Sequence, residues 1–520
     1  MRVTLIYRGR YHVRQATDLE TLASVLRQGG HEVGLVYDAD AFGVTDNVLQ
    51  VPWLARRCQK PGRSVRRILD ARPDAAVFSV LPSAYPWART VAAQVKAAQA
   101  VPVVFTGLHP SLVPERVMRD ACVDYAVQGE TENVILPLLE AIAGGREPAS
   151  VGNLWYRSGG QVCRTPPAEP VNLDALPLPD KDLFRPYVSH RYSYTCMVSR
   201  GCPYQCSFCE ETCARKVHGP RYFRRKSVDA VMRELAAGKR RYGFREVIFK
   251  DSYLSGDRAW LADLMRRYKA QVGVPFKCFC TIRSFDAETA RLLKEGGCYN
   301  VEFGLQTWND RLRREVLGRN ETSRDALRAF ACCADAGLWY DVDHMFNLPT
   351  ETVQDHIDGA IAYAGLRYLN RVKVHYLVYL PTAEIVDRAV GAGAVPPDIR
   401  RLLEDGWQGD FYDSGGGPAL RTGGPPGGAA SSARGTAGLS GRGKDLCAAD
   451  YAALYKVLPA LSERSVRWLL AGRRVRWLGR IPWPLMAVVQ AMLAVRSRDL
   501  RFAAYLRMYP AKVLRAVLDR

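Results

Sequence analysis

No stretch of this 520-residue chain is apolar over the roughly 20 residues needed to span a bilayer. The longest late run, Leu485 to Val495, is far shorter and is broken by Gln490, so no transmembrane helix is expected. Acids are scarce beside bases, 53 against 73, for a net charge of +20. A surplus of that size suits nucleic acid, an anionic membrane or an acidic substrate. Half of it lies between Glu463 and Arg520, where thirteen bases face three acids. The fourteen cysteines lack the paired spacing of a small secreted scaffold, and no signal peptide precedes the strand-like Val3-Thr4-Leu5-Ile6-Tyr7. A reducing cytoplasm is the expected compartment. No G-x-G-x-x-G follows that first strand, which argues against a dinucleotide site. What remains is ordinary for a soluble globular protein, 48% hydrophobic and long enough for two or three domains.

The rest of the chain is arranged around Ser199-Arg200-Gly201-Cys202-Pro203-Tyr204-Gln205-Cys206-Ser207-Phe208-Cys209. Thiolates ligate iron–sulfur clusters, and four irons take four ligands. Three neighbouring cysteines at spacing C-x3-C-x2-C therefore leave one iron open. An open iron can chelate the amino and carboxylate groups of S-adenosylmethionine, and an electron passed through it can cleave the sulfonium carbon–sulfur bond. A structural zinc knuckle is the competing reading; it needs a fourth Cys or His, and Cys213 stands four residues beyond Cys209. The spacing, with Phe208 ahead of the last thiol, resembles the signature of the radical S-adenosylmethionine (radical SAM) enzymes. That resemblance implies a [4Fe-4S] cluster on Cys202, Cys206 and Cys209, the expected catalytic centre.

Residues 1–140 alternate strand-like and helix-like patterns, which predicts a Rossmann-like parallel sheet covered on both faces. Ligands of such sheets bind beyond the carboxyl ends of the strands. The candidate loops are Arg8 to Gln15, Leu81 to Tyr85, Gly107 to Pro110, and Gly129-Glu130. With Thr106-Gly107-Leu108-His109-Pro110 and Val127-Gln128-Gly129-Glu130-Thr131-Glu132 ahead of a cluster motif, the region resembles the cobalamin-binding domain of the B12-dependent radical SAM enzymes. The resemblance implies cobalamin contacts from Tyr11, Ser83, Gly107, His109, Gly129 and Glu130. The D-x-H-x-x-G pattern that supplies a cobalt-ligating histidine is absent after Tyr7, so no protein histidine is expected on cobalt.

A connector, 141–194, carries a hairpin pattern around Ser158-Gly159-Gly160 and then proline-punctuated chain. From 195 to 390, six strand–helix repeats predict a partial (β/α)6 barrel with the cysteine loop at a strand's carboxyl end, where barrel chemistry is placed. By resemblance, Phe208, Lys250, Asp251, Arg283, Glu302, Gln306 and Asn347 are the expected S-adenosylmethionine contacts; Asn347 stands where the family commonly has glycine. Cys278 and Cys280 are expected on opposite sides of the third strand, with one able to face the lumen.

A post-barrel segment, 391–413, leads to a Gly/Pro-rich flexible linker, 414–445, and a basic helical region, 446–520. Its interleaved Trp and Arg residues fit a membrane-surface helix, an RNA contact or a helical cap over the barrel. The fold class expected is thus α/β with a helical C-terminal region. The resemblance implies a methyltransferase that acts on an unactivated carbon of a small molecule or natural product, using methylcobalamin and a 5'-deoxyadenosyl radical, with flavodoxin or ferredoxin as electron donor. Cyclisation or rearrangement without methyl transfer is the near alternative. A methylthiotransferase would need a second cysteine trio, and only Cys58 and Cys122 precede residue 140. A corrinoid- or redox-sensing nucleic-acid-binding regulator is the non-enzymatic alternative, and nucleic acid is the less favoured partner.

Overall fold

The computed structural model describes residues 1–407 and 448–499, apart from 12, 41, 43–54, 56–57, 59–60, 472–473, 480, 482 and 498, together with 510 and 514. The expected linker 414–445 lies outside the described residues. Seven strands form the first sheet: β1 Arg2–Arg8, β2 Glu32–Asp38, β3 Ala75–Ser79, β4 Val103–Thr106, β5 Tyr125–Val127, β6 Leu154–Ser158 and β7 Gln161–Arg164. Their spatial order is β2-β1-β3-β4-β5-β6-β7. The first five run parallel, and β3 and β4 are buried along their whole length, which explains the Ala/Val/Phe runs that precede their terminal Ser79 and Thr106. β5, only three residues long, is too brief to leave a periodic signal in the sequence. The hairpin β6–β7 joins antiparallel to β5, so the start of the expected connector extends the first sheet. Gly159 and Gly160 turn it with φ of 56° and 82°, the left-handed pair that a two-residue hairpin requires.

The second sheet takes β8 Tyr194–Cys196, then, past a small ribbon of β9 Ser199–Arg200 and β10 Arg224–Arg225, β11 Val247–Phe249, β12 Phe276–Cys280, β13 Cys298–Gln306, β14 Trp339–Phe346 and β15 Leu369–Tyr376. Neighbours follow chain order, β8-β11-β12-β13-β14-β15, all parallel, which is the open six-stranded barrel. Several of its helices start at a short polar N-cap. Ser227 Oγ accepts from Ala230 N at 3.2 Å, and Thr322 with Asp325 and Thr352 with Asp355 form capping boxes.

Polar side chains of alternate strand residues converge in the lumen. Lys277 Nζ lies 2.6 Å from Asp341 and 2.9 Å from Glu302, and Lys373 also reaches Glu302. Arg371 adds a bridge to Asp341 at 3.3 Å and another to Asp499, a residue of the C-terminal region. The opposite face of β12 corrects the expectation for its thiols. Residues two apart share a face, so Cys278 and Cys280 both turn away from the lumen, their sulfurs 4.0 Å apart and buried in the strand–helix core beside Cys298.

The described C-terminal region is a cap. Helix Ala448–Val457 buries Tyr451, Leu454 and Tyr455 in the barrel's own core, and helices Glu463–Ala471 and Trp483–Arg496 follow. Helix Ile399–Glu404 of the post-barrel segment packs with Leu112 and Val113 of the first domain, and Arg116 binds Asp405 at 2.6 Å.

Candidate functional site

The cysteine loop leaves β9 and ends in helix Glu210–His218, whose N-cap is Cys209. At Gly201, φ is +83° and a Cβ would lie 2.8 Å from Tyr222 O, so only glycine fits the turn into the loop. Ser207 fastens the middle: its N–H donates to Leu317 O at 2.9 Å, its hydroxyl to Val316 O at 2.6 Å, and its carbonyl accepts from Ile385 N at 3.0 Å. Cys202, Cys206 and Cys209 are left as half-buried free thiols. Burial pushes Cys202 up to about 11 and raises Cys206 and Cys209 as well, so they become thiolates only when a positively charged centre binds them.

The trio is not spaced for one ion. Among the described residues the donor atoms gathered within 4.8 Å of one another belong to His344, Glu351 and His356, not to these cysteines. Cys213 faces inward on its helix and is buried among apolar side chains, so it offers no fourth thiol. The loop therefore offers a single zinc ion no gathered four-donor set, and three thiols are what a four-iron cluster with one open iron takes.

Around the loop the strand ends supply the residues expected from the sequence, with unequal fates. Asp251, just past β11, accepts from Val198 N at 2.9 Å, Ser199 N at 2.6 Å and Ser199 Oγ at 2.7 Å, which pins the chain entering the loop. Burial, only partly offset by those bonds, lifts its carboxyl to about 6. Lys250 Nζ sits 4.0 Å from the centre of the Phe279 ring, and Arg283 stacks over Tyr204 of the loop at 5.0 Å. Phe208 packs in the apolar cluster between the barrel, the first domain and the post-barrel helices. Glu302 lies mid-strand in the lumen, held by Lys277 and Lys373 rather than at the mouth. Gln306 and Asn347 end β13 and follow β14 with φ of 74° and 65°. Asn is among the residues that tolerate this conformation, which is how it stands where glycine is common.

Arg319 was not expected. Its Nη1 lies 3.9 Å from Cys206 Sγ, its Nη2 donates to Gly304 O at 2.7 Å, and its Nε holds Glu321, so one guanidinium ties the cluster loop to β13. It follows an irregular turn at 312–316, and no spacing in the sequence points to it.

Facing the helix after the loop is a cleft of about 200 Å3 along the carboxyl ends of the first sheet. Gly107, Gly129 and Glu130 line it; Tyr11, Ser83 and His109 do not. Ser111, unforeseen, joins the two glycine loops: its hydroxyl donates to Gly107 O at 2.6 Å and accepts from Gly129 N at 2.9 Å. With Ser79, Thr106 and Thr131 it makes the cleft rich in hydroxyls. His109 is wholly buried, its ring 4.1 Å from that of Tyr85, and burial takes it down to about 3, the state of a packed core histidine. Tyr11 donates to Glu20 at 2.6 Å and packs on Phe184, away from the cleft.

Glu130 is the joint between the two domains. It accepts from Arg200 Nη1 and Arg224 Nη1, each at 3.0 Å, and from Val171 N at 2.8 Å; Arg200, two residues before Cys202, also binds Glu132 and Asp18. Burial alone would raise the Glu130 carboxyl, but the two guanidinium groups hold it at about 2.

Residues 196–358 match the model of the radical SAM superfamily, and residues 16–139 that of the B12 binding domain. An uncharacterized methyltransferase of Pyrococcus horikoshii is 30% identical over 268 residues, 50% of this chain and 57% of that protein. Tryptophan 2-C-methyltransferase of Streptomyces laurentii is 25% identical over 336 residues, 51% of this chain and 54% of that one. The chain thus spans about half the length of the curated relatives it matches. In fold it is similar to the radical S-adenosylmethionine methyltransferase TsrM of Kitasatospora setae, solved with cobalamin and a [4Fe-4S] cluster (TM-score 0.59, 19% identity, 76% of this chain and 78% of that one). The cobalamin-dependent radical enzyme OxsB gives a TM-score of 0.60 at 14% identity, over 78% of this chain and 64% of its own.

Proposed function

The chain belongs to the radical SAM enzymes that carry a B12-binding domain, and on that premise we propose that it is a cobalamin-dependent methyltransferase acting on an unactivated carbon of a small molecule. The observation that carries this reading is the shared cleft. Gly107, Gly129 and Glu130 of the first domain and Glu210 and His218 of the helix leaving the cluster loop line one cavity, so the two cofactor-bearing edges face each other.

Cys202, Cys206 and Cys209 would hold the cluster. Gly107, Gly129 and Ser111, at the carboxyl ends of the first sheet, would hold the corrin, offering backbone groups and a hydroxyl to its amide side chains. Bound there, the cluster supplies one-electron cleavage of S-adenosylmethionine and the corrin carries the methyl group. The protein's own part is positional. Asp251 fixes the entry to the loop and Ser207 its middle, Arg319 places a positive charge beside Cys206, and the Arg200–Glu130 joint fixes the distance between the domains. Anaerobic reconstitution with iron, sulfide and hydroxocobalamin, scored for 5'-deoxyadenosine, S-adenosylhomocysteine and a product heavier by one methylene unit, tests the reading. A product of altered mass without that gain favours cyclisation or rearrangement, a reading to which the relative named anaerobic magnesium-protoporphyrin IX monomethyl ester cyclase (Rubrivivax gelatinosus, 22% identical over 351 residues) lends weight.

Flavodoxin or ferredoxin would serve as donor for the one-electron step. The C-terminal cap favours an anionic membrane surface as a further partner. On helix Trp483–Arg496, Leu485, Val488, Met492 and Val495 recur at helical spacing and are all exposed, as are Trp468 and Trp477, in a stretch with ten net positive charges. No helix among the described residues is long and apolar enough to cross a membrane. Flotation with anionic but not zwitterionic vesicles, lost in Val488→Glu, is the expected result.

A further inference from the structure

Strand β14 separates two chemistries. Asp341 and Asp343 point to the lumen, where they meet Lys277 and His375, while His344 points the other way, into the layer between strand and helix. There it meets Glu351, from the loop after β14, and His356, in the first turn of helix Val353–Tyr363. One ring nitrogen of each histidine and a Glu351 carboxylate oxygen lie within 4.8 Å of one another. All three side chains are almost wholly buried, at 1% or 2% exposure.

The group is short of partners. Neither ring nitrogen of His356 and not Glu351 Oε1 finds a hydrogen bond among the described residues. The Glu351 carboxylate is met by the backbone N–H groups of Leu348, 3.2 Å from Oε2, and of Asn347, and Oε2 stands 3.8 Å from His356 Nε2. Buried polar atoms left so are costly, and a native cluster of them signals an occupant. His344 Nδ1, by contrast, is 3.2 Å from Tyr363 Oη, the kind of outer partner that orients a ligating imidazole. Two neutral imidazoles and one carboxylate offer a divalent ion three nitrogen and oxygen donors and one compensating charge.

We propose that His344, Glu351 and His356 form a zinc site, separate from the cluster, that clamps the C-terminal cap to the barrel wall. The lid is helix Ala448–Val457. The Tyr451 ring lies 5.3 Å from that of His356 and the Tyr455 ring 4.5 Å from that of His344, and Tyr455 Oη donates to the backbone carbonyl of His356 at 2.9 Å. An ion gathering the three donors fixes the first turn of helix Val353–Tyr363, and with it the surface on which the lid rests.

The test uses the full chain with Cys202, Cys206 and Cys209 changed to Ala, which removes the cluster ligands. After chelator dialysis and one equivalent of zinc, it is expected to retain one zinc per chain. X-ray absorption should show only nitrogen and oxygen scatterers at about 2.0–2.1 Å and no sulfur near 2.3 Å. Thermal unfolding should shift upward with zinc. His356→Leu should lose both the metal and the zinc-dependent shift, and if it does not fold, the near-isosteric Glu351→Gln carries the same test. The proposal is overturned by absence of bound zinc, by sulfur in its coordination shell, which means adventitious binding at the remaining thiols, or by full zinc content in both variants.

Discussion

The cluster loop draws its three thiols from eight consecutive residues, whereas the cleft opposite collects Ser79, Gly107 and Gly129 from the ends of three different strands. The loop's thiols are neighbours in sequence, but its shape is held from outside: Gly201 turns against Tyr222, and Ser207 is fastened to Val316, Leu317 and Ile385. The cleft exists only because β3, β4 and β5 are adjacent in the sheet. The Arg200–Glu130–Arg224 joint connects the two kinds of construction, since it binds a strand-end carboxylate of one domain to the stem of the loop in the other. A chemistry that needs both cofactors can therefore tolerate a dispersed cleft, provided the loop is rigid and the joint holds.

The sharpest break in that comparison is Cys206→Ala, expected to abolish cluster absorbance and 5'-deoxyadenosine formation while hydroxocobalamin still binds; joint loss of both would show that the cleft depends on the loop. Next is Glu130→Gln, which leaves two buried guanidinium groups short of a charge and should cost about 3–5 kcal/mol, read from the urea midpoint. Because the Glu130 carboxyl lies at about 2, below its unfolded value, its contribution is present above pH ~4.5 and fades as pH falls toward 2. Urea midpoints measured across that window should flatten in the variant. Gly201→Ala forces a Cβ to 2.8 Å from Tyr222 O at a left-handed φ, and a loss of about 1–3 kcal/mol with lowered iron content is expected. Gly129→Ala meets the His218 ring at 2.5 Å and should weaken corrin binding by about tenfold, some 1.4 kcal/mol, with iron content unchanged. Arg319→Lys, which keeps the charge but cannot bridge Cys206 and Gly304 together, should have the smallest effect, a severalfold loss in turnover without loss of cluster.

Local pattern made much of this legible. The six barrel strands and the glycine-turned hairpin each carry their own period or turn residues, and the cysteine spacing carries its own chemistry. Side-chain direction was not legible. His109 sits in a loop that reads as a binding loop, yet its ring turns under Tyr85, and Ser111, two residues later, takes the cleft instead. Glu302 reads as an S-adenosylmethionine contact, but Lys277 from the neighbouring β12 and Lys373 from β15, two strands away, hold it in the lumen. Arg319 leaves no mark at fixed spacing because its partners come from other elements; His344, Glu351 and His356 lie within thirteen residues, but only the strand–loop–helix turn brings them to one side.

By itself the sequence determined the order of the domains, the alternation that builds two parallel sheets, and the loop that can present three thiols, since each depends on residues within one turn or one strand of each other. Only the tertiary structure decided which strand ends share a cleft, which carboxylates are consumed by buried bridges, and that the His356 ring is left without a hydrogen bond among the described residues beneath the C-terminal helix. Those outcomes depend on burial and on charges brought together across tens or hundreds of residues, and no local pattern encodes the distance between them.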